Sequence, residues 1–130
     1  LKKIARENIQ FLGEIQDDKL KAKIISQAQA LIHPQEEDFG IAAVEAMAAG
    51  IPVIAYKAGG ALETIIENKT GVFFEEQTWE CLADTIVNFD SGQFKPQDIK
   101  NHAENFSVSR FRRQIAKLVE EEYSRFKERK

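Results

Sequence analysis

Glu37 and Glu45 stand eight positions apart, on either side of Phe39-Gly40-Ile41-Ala42-Ala43-Val44. A helix starting near Gly40 has little side-chain bulk in its first turn, because Gly40, Ala42 and Ala43 are small. Its unpaired N–H groups and the positive end of its dipole then favour an anion. Carboxylates are poor partners for that anion but good acceptors for neutral hydroxyls. A ligand that suits both features carries a phosphate and polyol groups together, as a sugar nucleotide does.

Taken singly, neither glutamate is distinctive. Glu37 is one of three successive acids, Glu36, Glu37 and Asp38, which together read as a solvated run. Glu45 reads as an exposed helical carboxylate, although Val44, Ala46 and Met47 leave it little polar face. A half-buried carboxylate needs donors, and ribose hydroxyls would supply two. Phe39-Gly40-Ile41 also has a plain reading as a helix entry, with Asp38 as N-cap. His33 and His102 read as polar loop or surface groups, and Cys81 carries no assignment.

The elements that position these residues follow from local pattern. Residues 2–6 read as the tail of a helix, and the alternation of 8–12 predicts a strand ended by Gly13. Asp17 or Asp18 caps a helix whose Leu20, Ile24, Ile25 and Ala28 recur on one face. Residues 30–32 form a buried strand stopped at His33-Pro34. The helix from Gly40 ends at Gly50, and Pro52 opens the apolar strand 53–56, of the kind covered on both faces. Residues 57–60 make a tight loop, 61–67 a helix, 68–71 a turn and 72–74 a strand. Thr78 caps a helix over 79–89 with Trp79, Leu82, Ala83, Ile86 and Phe89 on its stripe. A second tail helix runs from Pro96 to Asn105. Ser107 or Ser109 precedes a third, whose Val108, Phe111, Ile115, Leu118, Val119 and Phe126 are expected in core or domain-interface packing.

Alternating strands and helices predict an α/β fold with a Rossmann-like parallel sheet, flanking helices and a helical C-terminal tail. In such a sheet the strand-to-helix loops open on one carboxyl edge. Loops 13–17, 33–38, 57–60 and 75–77 are therefore expected around one crevice, which makes Gly59 and Gly60 neighbours of the glutamates.

The run Glu37-Asp38-Phe39-Gly40-Ile41-Ala42-Ala43-Val44-Glu45-Ala46-Met47-Ala48-Ala49-Gly50-Ile51-Pro52-Val53-Ile54 resembles the signature of retaining, family 4 type glycosyltransferases of the GT-B fold. The likeness covers residues 8–74 well and the tail loosely, through Ala103-Glu104-Asn105-Phe106-Ser107 and Phe111. It implies that 1–130 is a single domain, the distal part of the nucleotide-sugar-binding C-terminal domain. Glu37 is then the catalytic-site residue that contacts donor-sugar hydroxyls, and Glu45 holds the nucleotide ribose. The amides of Phe39, Gly40 and Ile41 meet the donor phosphate and sugar. Gly59-Gly60 with Glu63 matches a family turn, with a donor-loop role and a purely structural one in balance.

The resemblance implies retaining transfer of a sugar from a nucleotide-sugar donor to a hydroxyl acceptor in polysaccharide or glycolipid synthesis, without metal or cofactor. Mannosyltransferases look nearest, so GDP-mannose is the first donor expected. The sugar or lipid-linked acceptor would be bound by an N-terminal domain absent from this chain, as are the Arg and Lys that neutralise the leaving diphosphate. Without those cations the chain alone is expected to bind donor weakly and catalyse little. The rival readings are a non-catalytic nucleotide-binding or interaction module of the same fold, and a phosphorylase, which would need a cofactor lysine not seen here.

Bulk properties agree with one domain of a larger protein. The 130 residues start at Leu1 rather than Met and suit one domain, and the 43% hydrophobic and 30% charged residues give an ordinary globular balance. The net charge is −3, with Lys and Arg dispersed among acids, which argues against nucleic acid as a partner. A single cysteine and two histidines give neither an internal disulfide nor a metal set. A cytoplasmic location is expected, with any contact peripheral, at the inner membrane face through the missing domain.

Overall fold

A computed structural model describes residues 2–129. Three strands, β1 (Leu31–His33), β2 (Val53–Tyr56) and β3 (Gly71–Phe74), form one parallel sheet in the order β1-β2-β3. The register pairs Leu31 with Val53 and continues from Val53 to Gly71, ending with Tyr56 opposite Phe74. Helix α1 (Asp18–Ser26) precedes β1, α2 (Ile41–Ala48) joins β1 to β2, and α3 (Ala61–Thr64) joins β2 to β3. The tail comprises α4 (Trp79–Asn88), α5 (Pro96–Ala103) and α6 (Val108–Glu128), with short 3-10 turns at Ser91–Gln93 and Glu104–Phe106.

The core forms where α2 meets β2, α3 and α5. Ala43, Ala46 and Met47 of α2 are fully buried with Val53, Ala55, Ile65 and Ile99. Alanines there let α5 approach closely, and the helix ends in a Schellman motif: Gly50 N–H donates to Met47 O at 2.8 Å and Ile51 N–H to Ala46 O at 2.9 Å. Val53, Ile54 and Ala55 are buried, as an apolar strand flanked on both sides requires.

Capping chemistry sets the helix starts. Asp17 accepts from the amides of Lys19 and Leu20, Thr78 from Cys81 and Ser107 from Arg110. Helix α3 stops at Thr64, earlier than the expected 61–67. There the β-branched Ile65 turns extended and is buried, and the Thr70 hydroxyl accepts the Ile66 amide at 2.8 Å.

Several expectations fail, each for a physical reason. Residues 2–6 are not helical, and residues 8–12 form no strand, so the sheet has three strands rather than four. Alternation marks an extended segment, but a strand exists only where a neighbour takes up its ladder. Here Ile9, Phe11 and Leu12 remain about half exposed. The expected face of α1 is thin, since Leu20 is 47% exposed and none of its residues is fully buried. Helix α4 also buries no residue, with Trp79 exposed. The stripe of α6 is not core: Val108, Phe111, Ile115, Leu118, Val119 and Phe126 all lie on the exposed surface. Amphipathicity alone therefore does not place a helix in the core.

Candidate functional site

The loops that leave β1, β2 and β3 are tied to one another at the carboxyl edge. Gly60 N–H donates to the Glu37 carbonyl at 2.7 Å, which clasps the loop after β2 onto the loop after β1. Gly59 has φ +56, and a Cβ there would lie 2.5 Å from the Glu37 carbonyl oxygen. A Cβ on Gly60 would collide with the Asp38 carbonyl oxygen and stand 2.5 Å from Phe39 Cα. Only a pair of glycines lets the two backbones come this close. The loop after β3 joins through Gln77 Nε2, which donates to Pro34 O at 3.0 Å, and through the Lys57–Glu75 ion pair at 2.5 Å.

At the start of α2, Gly40 adopts φ +79 and no side chain caps the helix. Asp38 is therefore not the N-cap of the plain reading. The left-handed turn at Gly40 directs the chain into the helix, and the Ala43 and Val44 amides close onto Gly40 O at 3.0 and 3.3 Å. The Gly40, Ile41 and Ala42 amides precede the intrahelical ladder, which makes a bare helix tip. Phe39 and Ile41 flank it, both exposed at their side chains. The Phe39 ring meets Phe106 edge-to-face at 5.9 Å, which anchors the loop to the tail.

His33 is the residue that sequence reasoning misplaced. It is not a surface group but ends β1 with 3% exposure. Its Nε2 lies 3.9 Å from Glu37 Oε2 and 3.2 Å from where a Cβ on Gly40 would be. The signal was available, because the last residue of a parallel strand faces the edge where the loops gather. His102 is half-buried rather than on the surface, and its Nε2–H donates to the Thr64 carbonyl at 2.7 Å, closing the end of α3.

The two glutamates have different surroundings. Glu37 accepts from Gln35 Nε2 at 2.8 Å and sits beside the glycine clasp. Glu45, in the second turn of α2, accepts from Lys21 Nζ of α1 at 2.9 Å. It lines a cavity of about 410 Å³ with Asp18, Lys21, Ala22, Ile25, Ala48 and Ala49. Glu37 is not part of that lining, so Gly59 and Gly60 neighbour Glu37 while Glu45 faces the α1 side. The expected loop 13–17 reaches the site only through α1, because no strand precedes it. The hydrogen bond from Lys21 to Glu45, then the charge of that carboxylate, holds the Lys21 ammonium above its ordinary pKa of 10.5. Glu75 does the same to Lys57. Among the described residues no group of three or more His, Cys, Asp or Glu side chains could hold a metal ion.

This geometry has a bare helix tip, a carboxylate beside it and a second carboxylate one turn further on, with loops joined by main-chain contact. Residues 1–106 match the family model described as glycosyl transferases group 1. The chain belongs to that family.

Relatives of this group 1 chain agree. It is 32% identical over 114 residues to the alpha-1,3/1,6-mannosyltransferase ALG2 of Rhizomucor pusillus, a match covering 83% of this chain and 25% of that protein. It is 46% identical over 51 residues to a GDP-mannose-dependent alpha-(1-6)-phosphatidylinositol monomannoside mannosyltransferase of Mycobacterium tuberculosis, covering 39% and 13%. Sucrose-phosphate synthase from Thermosynechococcus elongatus superposes with a TM-score of 0.78 at 29% identity, over 88% of this chain and 30% of that one. The chain thus spans a quarter or less of the length of these two curated relatives. The parallel sheet, flanking helices and helical tail are those of a GT-B glycosyltransferase C-terminal domain. No helix among the described residues is long and apolar enough to cross a membrane.

Proposed function

We propose that residues 1–130 are the distal part of the donor-binding domain of a longer, retaining glycosyltransferase. Its donor is a nucleotide sugar, GDP-mannose first, and its acceptor a hydroxyl of a sugar or lipid-linked glycan held by a separate N-terminal domain. The observation that carries this reading is the glycine clasp, Gly60 N–H to Glu37 O at 2.7 Å, which fixes Glu37 beside the uncapped tip of α2.

In this reading Glu37 takes hydroxyls of the donor sugar, because a carboxylate accepts from several O–H donors at once. The amides at Phe39, Gly40 and Ile41 face the phosphate, drawn by the positive end of α2. Glu45 takes the ribose hydroxyls, and Gly59-Gly60 holds the donor loop. Transfer needs no metal, since amides and cations supplied by an Arg and a Lys outside residues 1–130 stabilise the departing diphosphate. Mannose is supported by the mannosyltransferase names of two relatives, one of them GDP-mannose-dependent. Contact with a membrane, where it occurs, is peripheral and runs through the other domain.

The test is a thermal-shift screen of GDP-mannose, UDP-glucose and their nucleotides on the complete polypeptide, since a ligand raises the melting point only when it binds the native state. GDP-mannose should give the largest shift, EDTA should leave transfer unchanged, and Glu37→Ala should lower turnover with little loss of nucleotide affinity. A screen without any shift, with Glu37→Ala turning over like the parent, would sink the assignment.

A further inference from the structure

We infer that Lys21 is a positioning residue for Glu45, holding its carboxylate in the orientation that receives the nucleotide ribose. The inference rests on the proposed function above, since it assigns a task to a neighbour of the same site. Lys21 and Glu45 lie 24 residues apart in the chain, on different helices, with the ammonium 2.9 Å from Oε1. Lys21 Nζ also lies 3.8 Å from Asp18 Oδ1. The two side chains are 38% and 39% exposed, so the pair lies at the mouth of the cavity rather than in bulk solvent.

Three features make this more than a surface ion pair. First, the position of Lys21 is built in. Asp17 Oδ1 caps α1 at the Lys19 and Leu20 amides, and Lys21 N–H donates to Asp17 O at 2.9 Å, so the lysine leaves a fixed first turn. Second, the rest of the cavity wall, Ala22, Ile25, Ala48 and Ala49, is apolar and offers Glu45 no other donor. Third, Lys21 occupies only Oε1, and no hydrogen bond to Oε2 occurs among the described residues, so that oxygen is left for a hydroxyl. Without the ammonium, Glu45 would lose the side-chain donor that orients it, since the apolar wall supplies no replacement.

The test is calorimetric titration of GDP and UDP into the complete polypeptide, with thermal unfolding run alongside. Lys21→Met should weaken the better nucleotide about two- to fivefold, the size expected of a half-exposed ion pair. Lys21→Arg should restore the affinity, and Lys21→Met with Glu45→Ala should bind no more weakly than Glu45→Ala alone, because the lysine acts through the glutamate. In steady state the loss should appear in KM and leave kcat in place. Lys21→Met binding like the parent or more tightly, or losses that simply add in the double variant, overturns the positioning role while the site stands. Glu45→Ala binding like the parent instead overturns the ribose assignment itself.

Discussion

Gly60→Ala isolates the contact on which the site depends. Gly60 sits at φ −63, a conformation alanine adopts freely, so backbone strain is not the issue. The cost is steric: the new methyl group would run into the Asp38 carbonyl oxygen and Phe39 Cα, both main-chain atoms that cannot rotate away. Relief requires the loop after β1 to move out, which stretches the 2.7 Å bond from Gly60 N–H to Glu37 O. Overpacking of this kind costs about 1–3 kcal/mol. For a chain of this length that corresponds to a fall of about 4–11 °C in the unfolding midpoint. The same outward movement carries Glu37 away from the helix tip, so turnover with a sugar-nucleotide donor should fall by more than the stability loss explains. Differential scanning calorimetry and donor kinetics on the complete polypeptide measure the two effects. A Gly60→Ala protein that melts within about 1 °C of the parent and keeps its turnover would falsify the idea that close backbone approach builds this site.

Three further outcomes follow from the same geometry. Glu45→Ala should weaken nucleotide binding by about 1–3 kcal/mol through loss of charge-assisted hydrogen bonds, read by titration calorimetry. His33→Ala, which empties a buried position beneath Gly40 and beside Glu37, should destabilise the fold by about 1–3 kcal/mol in urea unfolding and lower turnover along with it. Lys57 is held above its ordinary 10.5 by its hydrogen bond to Glu75 and then by that residue's charge, so the folded pKa exceeds the unfolded one. The stability it contributes is fully present below the unfolded value and is lost as pH rises through the folded value. The melting point should therefore decline more steeply above about pH 10 in the parent than in Lys57→Met.

What could be read in the sequence was what local chemistry decides. The Asp17 and Thr78 caps, the α2 helix closed by Gly50 and the apolar strand after Pro52 each carry their signal within a few residues. The gathering of the loops after β1, β2 and β3 at one edge also followed from the alternation of elements, whereas loop 13–17 had no strand to leave. What could not be read depends on partners far along the chain. The strand expected over 8–12 lacked a neighbour to pair with, and the apolar stripe of α6 lies exposed rather than in the core. The burial of His33 depends on Gly40 lying over it, seven residues later. Lys21 escaped notice because a lysine on an outward helix face looks like any other until a second helix brings Glu45 to it. The glycine pair was legible as a turn, but its grip on Glu37 was not, since no sequence pattern states which carbonyl a glycine amide meets.

The hydrogen bond that grips the loop after β2 to the loop after β1 joins main-chain atoms, Gly60 N–H and Glu37 O, and so does not depend on which side chains stand at 36 and 38. On the proposed donor role, Glu36 and Asp38 can be rewritten without breaking that bond, whereas Gln35 also holds Glu37 through its 2.8 Å hydrogen bond. Redesign of donor preference in this domain should begin at Glu36 and Asp38 and leave both glycines untouched.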